Sequence, residues 1–307
     1  MPLFNTRFEA MASPSELQIW HDDELRARRA ADAATAEVRR IEAKYSRYRT
    51  DSVTTRINAG AGSGEIAIDS ETAALLGYAD QCYRLSGGRF DLTSGVLRRA
   101  WDFRRSPPQL PAEADIAAAI ARIGWRDVEW NERTVRLPRA DMELDFGGIG
   151  KEYAADRAAA ICRQHDIAHA LVNLGGDVRA VGSQHDGSHW RIAIAHPRLN
   201  DAVVAGIELV DDAVATSGDY ERYFEIDGQR YCHLLNARTG WPVSCWQSVS
   251  VVAPLCVVAG SCASIAMLLE QEGETFLRSQ GVAYLAVSSD GTVRGPVAQR
   301  DRQSGAA

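Results

Sequence analysis

Three segments of the chain combine glycines with charged or hydroxyl side chains in patterns that could bind a phosphate. In residues 144–156, Asp145 and three glycines stand directly before a stretch with helical periodicity. Glycine lets backbone N–H groups approach an anion at a helix N-terminus, and Lys151 adds positive charge there. A pyrophosphate would fit this arrangement. A tight glycine turn followed by a solvated lysine explains the pattern equally well.

The other two segments lie further along the chain. In residues 173–177, paired glycines between β-rich stretches indicate a turn or a close backbone approach, without separating a structural from a functional role. Residues 215–220 and 233–242 combine hydroxyl groups, one histidine and one arginine, which suits phosphate binding. His233 is a candidate to accept a proton, although a cross-strand structural histidine is an equally good interpretation.

Apolar residues at helical spacing predict the helices that would position these segments. The second helix has Asp69 or Ser70 as its N-cap and ends at Gly87-Gly88, and the stretch before it is interpreted as a loop rich in Gly, Ser and Ala. The predicted helices cover residues 27–45, 70–86 and 116–123, the stretch after Lys151, and the stretch that carries the apolar stripe Val258, Cys262, Ile265 and Leu269.

Short β-branched segments predict strands between and after these helices. They cover residues 15–20, 134–137, 170–173, 190–195, 203–209 and 248–252. Because helices and strands do not alternate regularly, the pattern favours an α+β fold and excludes a simple Rossmann fold. Prolines near residues 105–111 mark the plausible linker, so the chain is one elaborate domain or two lobes, followed by a flexible tail at 298–307.

Composition excludes several classes of protein. A net charge of −7 argues against general nucleic-acid binding, although Arg98, Arg99, Arg104 and Arg105 form a local basic cluster. No stretch approaches the ~20 apolar residues of a membrane span, and no secretory signal is visible, so a cytoplasmic location is expected. The six cysteines form no CxxC pair and are interpreted as reduced thiols.

Taken together, these segments resemble the FAD:protein FMN transferase family, also called ApbE-type. The matches follow one another in chain order over nearly the whole sequence, which makes chance agreement very improbable. They are Met11-Ala12-Ser13, residues 45–52 with Asn58, residues 86–93, Trp101-Asp102-Phe103, residues 145–156, Gly175-Gly176-Asp177 and residues 215–218.

The resemblance implies a T-fold-like antiparallel sheet core with flanking helices. It also implies that FAD is bound and that FMN is moved onto a Ser or Thr hydroxyl of an acceptor flavoprotein, with release of AMP. Phe90 and Leu234 could instead be ordinary core residues. The implied FAD site consists of Met11, Tyr48, Arg89, Phe90, Asp91, Asp145, Lys151 and Leu234.

A Mg²⁺ site is also implied by the resemblance, at the backbone carbonyl of Gly148 and at two positions four residues apart on the late helix. In this chain those positions are Gly260 and Ser264, where the family has Asp and Thr. Because Mg²⁺ in proteins usually depends on one or two carboxylates, we expect a weakened site that Gly260→Asp would repair. Asn236 also replaces a family Asp, and Asp212 or Asp219 could recruit the metal instead.

Three functions remain open at this stage. The leading one is FMN transfer, and the rivals are a Mg²⁺-dependent FAD pyrophosphatase and a non-catalytic flavin-binding protein. The C-terminal residues 301–307 resemble a loose version of the target motif that such transferases modify. They predict self-flavinylation at Ser304 as a secondary hypothesis, with a mobile polar tail as the ordinary explanation.

Overall fold

The structure, a computed structural model, describes residues 1–297 of the chain. The predicted tail at 298–307, with Ser304, lies outside these residues. Short 3₁₀ helices occur at Leu92–Arg99, Trp125–Asp127, Phe146–Gly148 and Glu270–Glu272. The α-helices are α1 (Glu24–Tyr45), α2 (Val53–Ala59), α3 (Ser70–Leu85), α4 (Glu113–Ile120), α5 (Gly150–Gln164), α6 (Cys256–Leu269) and α7 (Gly273–Ser279).

The strands form one large sheet and three small ones. They are β1 (Leu3–Ala10), β2 (Ser13–Trp20), β3 (Glu65–Ala67), β4 (Glu129–Trp130), β5 (Thr134–Arg136), β6 (His169–Leu174), β7 (Asp177–Val181), β8 (Trp190–Ala195), β9 (Val203–Leu209), β10 (Ala213–Gly218), β11 (Tyr223–Ile226), β12 (Gln229–Cys232), β13 (Trp246–Ala253), β14 (Ala283–Ser288) and β15 (Val293–Arg294).

The large sheet contains eight strands in the order β1-β2-β6-β7-β10-β13-β14-β15, and every neighbouring pair is antiparallel. This confirms the predicted α+β class with an antiparallel core. The smaller sheets are a three-stranded one in the order β3-β5-β4 and two two-stranded ones, β8–β9 and β11–β12. In residues 1–297, no helix has both the length and the apolar character needed to cross a membrane.

Helices α5 and α6 join the sheet to the rest of the core. Helix α5 packs between α1 and strands β6 and β7, while α6 packs on β10 and β13 and contacts α5. Twelve of the fourteen residues of α6 are buried, and the other two, Val258 and Ser264, are partly exposed. Three of the four residues of the predicted apolar stripe, Cys262, Ile265 and Leu269, are buried. On the other side of the helix, Gly260 faces Glu152 and the Ser264 hydroxyl hydrogen-bonds that of Ser217.

Most predicted elements are confirmed to within two residues of their ends. Helix α1 buries Ala27, Ala31, Ala34, Val38, Ile41 and Tyr45, as its periodicity predicts, and Asp69 caps α3 by accepting from the Thr72 N–H. The interpretation of residues 46–69 as a loop is wrong, because α2 and β3 form there. Strands β1, β10, β14 and β15 of the large sheet were not predicted, and α4 ends at Ile120, three residues earlier than expected. All six cysteines are free thiols.

Candidate active site

A cavity of about 920 Å³ opens beside the large sheet, at the N-terminal ends of α5 and β7 and the C-terminal end of β10. Its volume lies within the range of small-molecule and cofactor sites. It brings together residues from seven separate parts of the chain. The predicted site residues that line it are Tyr48, Arg89, Phe90, Asp91, Asp145, Gly148, Lys151, His233, Leu234 and Ser264.

Met11 is the predicted FAD residue that does not line this cavity. It occupies the turn between β1 and β2 with a φ of 53°, and its N–H donates to Glu42 Oε1 at 2.6 Å. Its side chain is partly buried against the main core. The structure therefore places Met11 in the support of the sheet edge.

Lys151 lies in the first turn of α5, where the glycine segment ends. Its Nζ is 3.0 Å from Asp177 Oδ2 and donates to the Gly175 carbonyl at 3.4 Å. Burial acts to lower the pKa of Lys151, but the carboxylates of Asp177 and Glu152 outweigh it and raise the pKa. The ammonium group stays charged at neutral pH and can bind a phosphate oxygen as a point charge.

Glu152, the next residue of α5, also lines the cavity but was not predicted as a site residue. Its side chain is about nine-tenths buried, and its Oε2 has no hydrogen-bond partner within the described part of the chain. Burial and the nearby Asp177 charge raise the pKa of Glu152. A buried carboxylate oxygen without a partner is energetically costly, so Glu152 calls for a functional explanation.

Gly260 of α6 faces Glu152 directly. A Cβ atom added at Gly260 would lie 2.6 Å from Glu152 Cγ and 2.7 Å from Glu152 Oε1. One turn further along α6, the Ser264 hydroxyl hydrogen-bonds the Ser217 hydroxyl of β10 at 2.8 Å. The space that a side chain at position 260 would need is thus filled by a carboxylate from the neighbouring helix.

The described residues contain no group of three or more His, Cys, Asp or Glu side chains arranged to hold a metal ion. A cation in this cavity would therefore need carbonyl, hydroxyl and ligand oxygens in addition to carboxylates. Mg²⁺ commonly binds in this way, through one or two carboxylates together with substrate phosphates and water.

Another part of the cavity lining carries a paired charge and an exposed ring. Arg47 Nη1 donates to Asp145, whose Oδ1 accepts from the Gly147 N–H at 2.9 Å. Arg47 also donates to the Tyr48 hydroxyl at 2.9 Å, and its guanidinium carbon lies 5.0 Å from the Tyr48 ring centre. Tyr48 is 73% exposed, which leaves a flat aromatic face for a planar ligand ring.

Phe90 and Asp91 line the cavity but also serve the fold. Phe90 belongs to the main core and stands against the Gly148 backbone, where a Cβ would be 3.1 Å from its ring. Asp91 caps the Leu92–Arg99 3₁₀ helix, accepting from the Thr93 N–H at 2.7 Å and the Thr93 hydroxyl at 2.6 Å. Burial raises the pKa of Asp91, against the effect of these hydrogen bonds.

His233 reaches the cavity from the segment that follows β12. Its Nδ1 is buried and has no hydrogen-bond partner among residues 1–297. Burial and the positive charge of Arg222 lower the pKa of His233 below its ordinary 6.5. The imidazole is therefore neutral at pH 7, with a ring nitrogen available to accept a proton.

Three other residues bear on the predicted metal site, as substitute ligands or as a lost charge, and they do not line the cavity. Asp219 is held by Arg198 through two hydrogen bonds of 2.7 and 2.6 Å, so its oxygens are already used. Asn236 is buried and accepts from the Arg238 N–H at 2.9 Å, shaping its own turn. Asp212 is likewise absent from the lining. Recruitment of the metal by Asp212 or Asp219, one of the two outcomes that the sequence left open, would have to involve residues outside the cavity lining.

Part of the basic cluster noted in the sequence surrounds the cavity mouth. Arg98, Arg99 and Arg104 line it, and the first two are paired with Glu143. Clustered guanidinium groups favour anionic ligands such as phosphates. Together with Lys151, they add positive charge to the cavity lining, which suits a phosphate chain.

The antiparallel sheet and this cavity define an α+β protein whose site offers positive charge and an exposed aromatic ring to a ligand. Comparison with known proteins makes the assignment more specific. The model of the ApbE family matches residues 11–286, and the chain therefore belongs to the ApbE family.

Individual relatives agree with this assignment. The chain is 30% identical to the FAD:protein FMN transferase of Salmonella typhimurium over 277 residues, which cover 86% of this chain and 79% of that protein. The ApbE protein of Thermotoga maritima is 30% identical with a TM-score of 0.86, covering 96% of this chain and 97% of that one. The apo flavinyl transferase ApbE of Pseudomonas stutzeri is 27% identical with a TM-score of 0.87, covering 98% and 96%.

Proposed function

We propose that this protein is an FAD:protein FMN transferase, which moves FMN from FAD onto a Ser or Thr hydroxyl of an acceptor flavoprotein. Family membership and the names of the relatives support this reaction. The observation that carries it is the shared cavity, which holds a charged Lys151, a neutral His233 and the exposed Tyr48 ring. These groups match a phosphate chain, an incoming hydroxyl and a flavin or adenine ring.

In the proposed reaction, the acceptor hydroxyl oxygen bonds to the phosphorus on the FMN side of the pyrophosphate. The bond from that phosphorus to the bridging oxygen breaks, and AMP leaves with the bridging oxygen. His233 Nδ1 accepts the hydroxyl proton, and Lys151 stabilises negative charge on the transferring phosphoryl group.

The residues present fit a Mg²⁺ ion as an assisting group. The Gly148 carbonyl and the Ser264 hydroxyl are the ligands expected from the family resemblance, and a carboxylate with an unpartnered oxygen lines the same cavity. When bound, Mg²⁺ would neutralise charge on the phosphate oxygens. Lys151 provides positive charge from the protein itself.

The test is to incubate the protein with FAD, Mg²⁺ and a peptide that carries the motif Asp-Gly-x-Ser/Thr-Gly-Ala-Ser/Thr. Transfer predicts AMP release together with flavin fluorescence that stays with the peptide in a denaturing gel. Free FMN with AMP would instead identify a pyrophosphatase, and intact FAD would identify a binding protein; either result contradicts the proposal.

Self-flavinylation at Ser304 is checked in the same experiment by leaving the peptide out. Attachment to the chain predicts an intact-mass increase of one FMN less water, and a Ser304→Ala variant is the matched control. An unchanged wild-type mass removes the secondary hypothesis and leaves the transfer reaction untouched.

A further inference from the structure

The contact between α5 and α6 beside the cavity has an unusual composition. Glu152 projects from α5 toward the one position of α6 that has no side chain, Gly260, and leaves no room for a Cβ there. Its Oε2 has no hydrogen-bond partner in the described residues, although the side chain is nine-tenths buried. If Glu152 only filled space, an apolar side chain would do so without the cost of a buried, unpartnered carboxylate.

The neighbouring charges show which carboxylate is available. Asp177 lies against Lys151 Nζ at 3.0 Å, so its charge is already balanced by the protein. The two hydroxyls on the other side, Ser217 and Ser264, hydrogen-bond each other at 2.8 Å. Glu152 Oε2 is the oxygen of this group that lacks a partner within residues 1–297, and Glu152 is one of the residues that line the cavity.

We propose that Glu152 supplies the carboxylate ligand for Mg²⁺ that position 260 lacks, so that the ligand comes from α5 instead of α6. This inference rests on the proposed metal-assisted function of the same cavity. It explains two features together: the missing carboxylate on α6, and the carboxylate buried without a partner against the gap that it leaves.

The geometry reverses the expectation that Gly260→Asp would repair the site. An Asp Cβ would lie 2.6 Å from Glu152 Cγ, a separation that folded proteins do not tolerate without movement of one group. The single substitution should therefore lower the melting temperature and fail to tighten metal binding. The exchange Glu152→Gly/Gly260→Asp removes the obstruction and returns one carboxylate to the same space from the other helix.

The experiment measures Mn²⁺ binding to the full chain by electron paramagnetic resonance, with and without FAD, since Mn²⁺ occupies oxygen-ligand sites of the Mg²⁺ type. We expect Glu152→Gln to weaken Mn²⁺ binding by at least about tenfold, the lower end of the losses seen even for indirect ligand partners. The exchange variant should recover most of that loss, and Gly260→Asp alone should not bind more tightly than wild type. Asp102→Asn, which removes a carboxylate from the cavity rim, is the matched control and should change affinity little.

Melting temperature provides a second measurement on the same proteins. A structural role for Glu152 predicts that Glu152→Gln melts lower in metal-free buffer. The ligand role predicts that the metal-free variant melts close to wild type, because Glu152 Oε2 has no hydrogen bond to lose within the described residues, and that added Mn²⁺ no longer raises its melting temperature.

Equal Mn²⁺ affinity in wild type and Glu152→Gln would overturn the inference, as would a wild type that binds no Mn²⁺ with or without FAD. FMN transfer is measured separately on each protein. If the wild type transfers FMN but has no Glu152-dependent Mn²⁺ site, the inference is wrong and the proposed function stands. If the protein has a Glu152-dependent Mn²⁺ site but transfers no FMN, the inference is supported and the proposed function is wrong.

Discussion

Two sets of buried polar residues near the cavity differ in where their hydrogen bonds go. The carboxylates of Asp219 and Asp91 accept hydrogen bonds from other protein groups. Asp219 accepts from Arg198, and Asp91 accepts from Thr93 at the start of a 3₁₀ helix. Glu152 and His233 each present one buried atom, Oε2 and Nδ1, that has no partner in residues 1–297. Both of these unpartnered atoms belong to residues that line the cavity.

This difference distinguishes buried polar residues that stabilise the fold from buried polar residues that can take part in binding or chemistry. A buried polar group that is fully hydrogen-bonded contributes to stability, and its loss leaves a partner unsatisfied. A buried group without a partner contributes nothing of this kind, and at Glu152 and His233 it belongs to a residue that lines the cavity, where a ligand would bind. The comparison therefore predicts that substitutions in the first set change stability, whereas those in the second set change chemistry.

The largest effect is expected for His233→Gln. Removing a general base usually lowers a rate by ~10²–10⁴-fold, so FMN transfer should fall by about that factor while FAD still binds. The free energy of unfolding should change by less than about 1 kcal/mol, since Nδ1 has no hydrogen bond to lose within the described residues. Transfer assays and urea unfolding check this, and a rate within about threefold of wild type would remove His233 from the mechanism.

Asp219→Asn is expected to have the opposite profile. It removes the charge that faces Arg198 in a largely buried pair, and it should cost roughly 1–3 kcal/mol of unfolding free energy. Mn²⁺ affinity and the transfer rate at a temperature where the variant is folded should stay close to wild type. A loss of Mn²⁺ binding here would show that the division between the two sets is wrong.

Gly260→Ala tests the contact between α5 and α6 without adding a ligand. Alanine gains about 1 kcal/mol of helix propensity over glycine, but overpacking against Glu152 typically costs ~1–3 kcal/mol. We expect net destabilisation in the wild-type chain and stabilisation in a Glu152→Gly background. Unfolding free energies of the four proteins form a double-mutant cycle, and additive effects would show that positions 152 and 260 do not compete for the same space.

The pH dependence of transfer gives the smallest and most gradual effect. His233 must be neutral to accept a proton, and burial with the Arg222 charge lowers its pKa below 6.5. Activity should therefore persist through pH 6.5 and fall about tenfold for each unit below the lowered pKa. The raised pKa of Lys151 keeps its ammonium charged up to alkaline pH. A rate profile from about pH 5 to 9 tests this, and an acid limb above pH 7 would contradict it.

The sequence predicted the α+β class and the main helices well because these signals are periodic and local, whereas the antiparallel core followed from the family resemblance. Ala27 to Tyr45 recur at helical spacing on α1, and β8 and β9 are bounded as predicted. Strand β1 escaped prediction because it lies at the edge of the sheet and most of its residues are exposed or half-buried. Residues 46–69 were misread because their Gly and Ser content hides the short elements α2 and β3.

The cavity residues that stand in sequence motifs were predicted individually. Cavity residues that are placed by the packing of distant segments were missed. Lys151, Asp145 and His233 stand in segments whose glycines and charges are visible in the sequence. Glu152 follows Lys151 directly, but nothing local shows that it lies against Gly260, which is over one hundred positions later. Only the crossing of α5 and α6 reveals that the two positions share one space.

Because the side chains at positions 152 and 260 would occupy the same space, the residue at one position restricts which residues the other can hold. Enlarging one side chain demands a smaller one at the other, so either position changed alone meets a steric clash or an empty volume at the cavity wall. A survey that scores only residue 260 would class this chain as having lost a ligand. Scoring the pair asks whether one carboxylate occupies the volume between the helices, whichever helix contributes it.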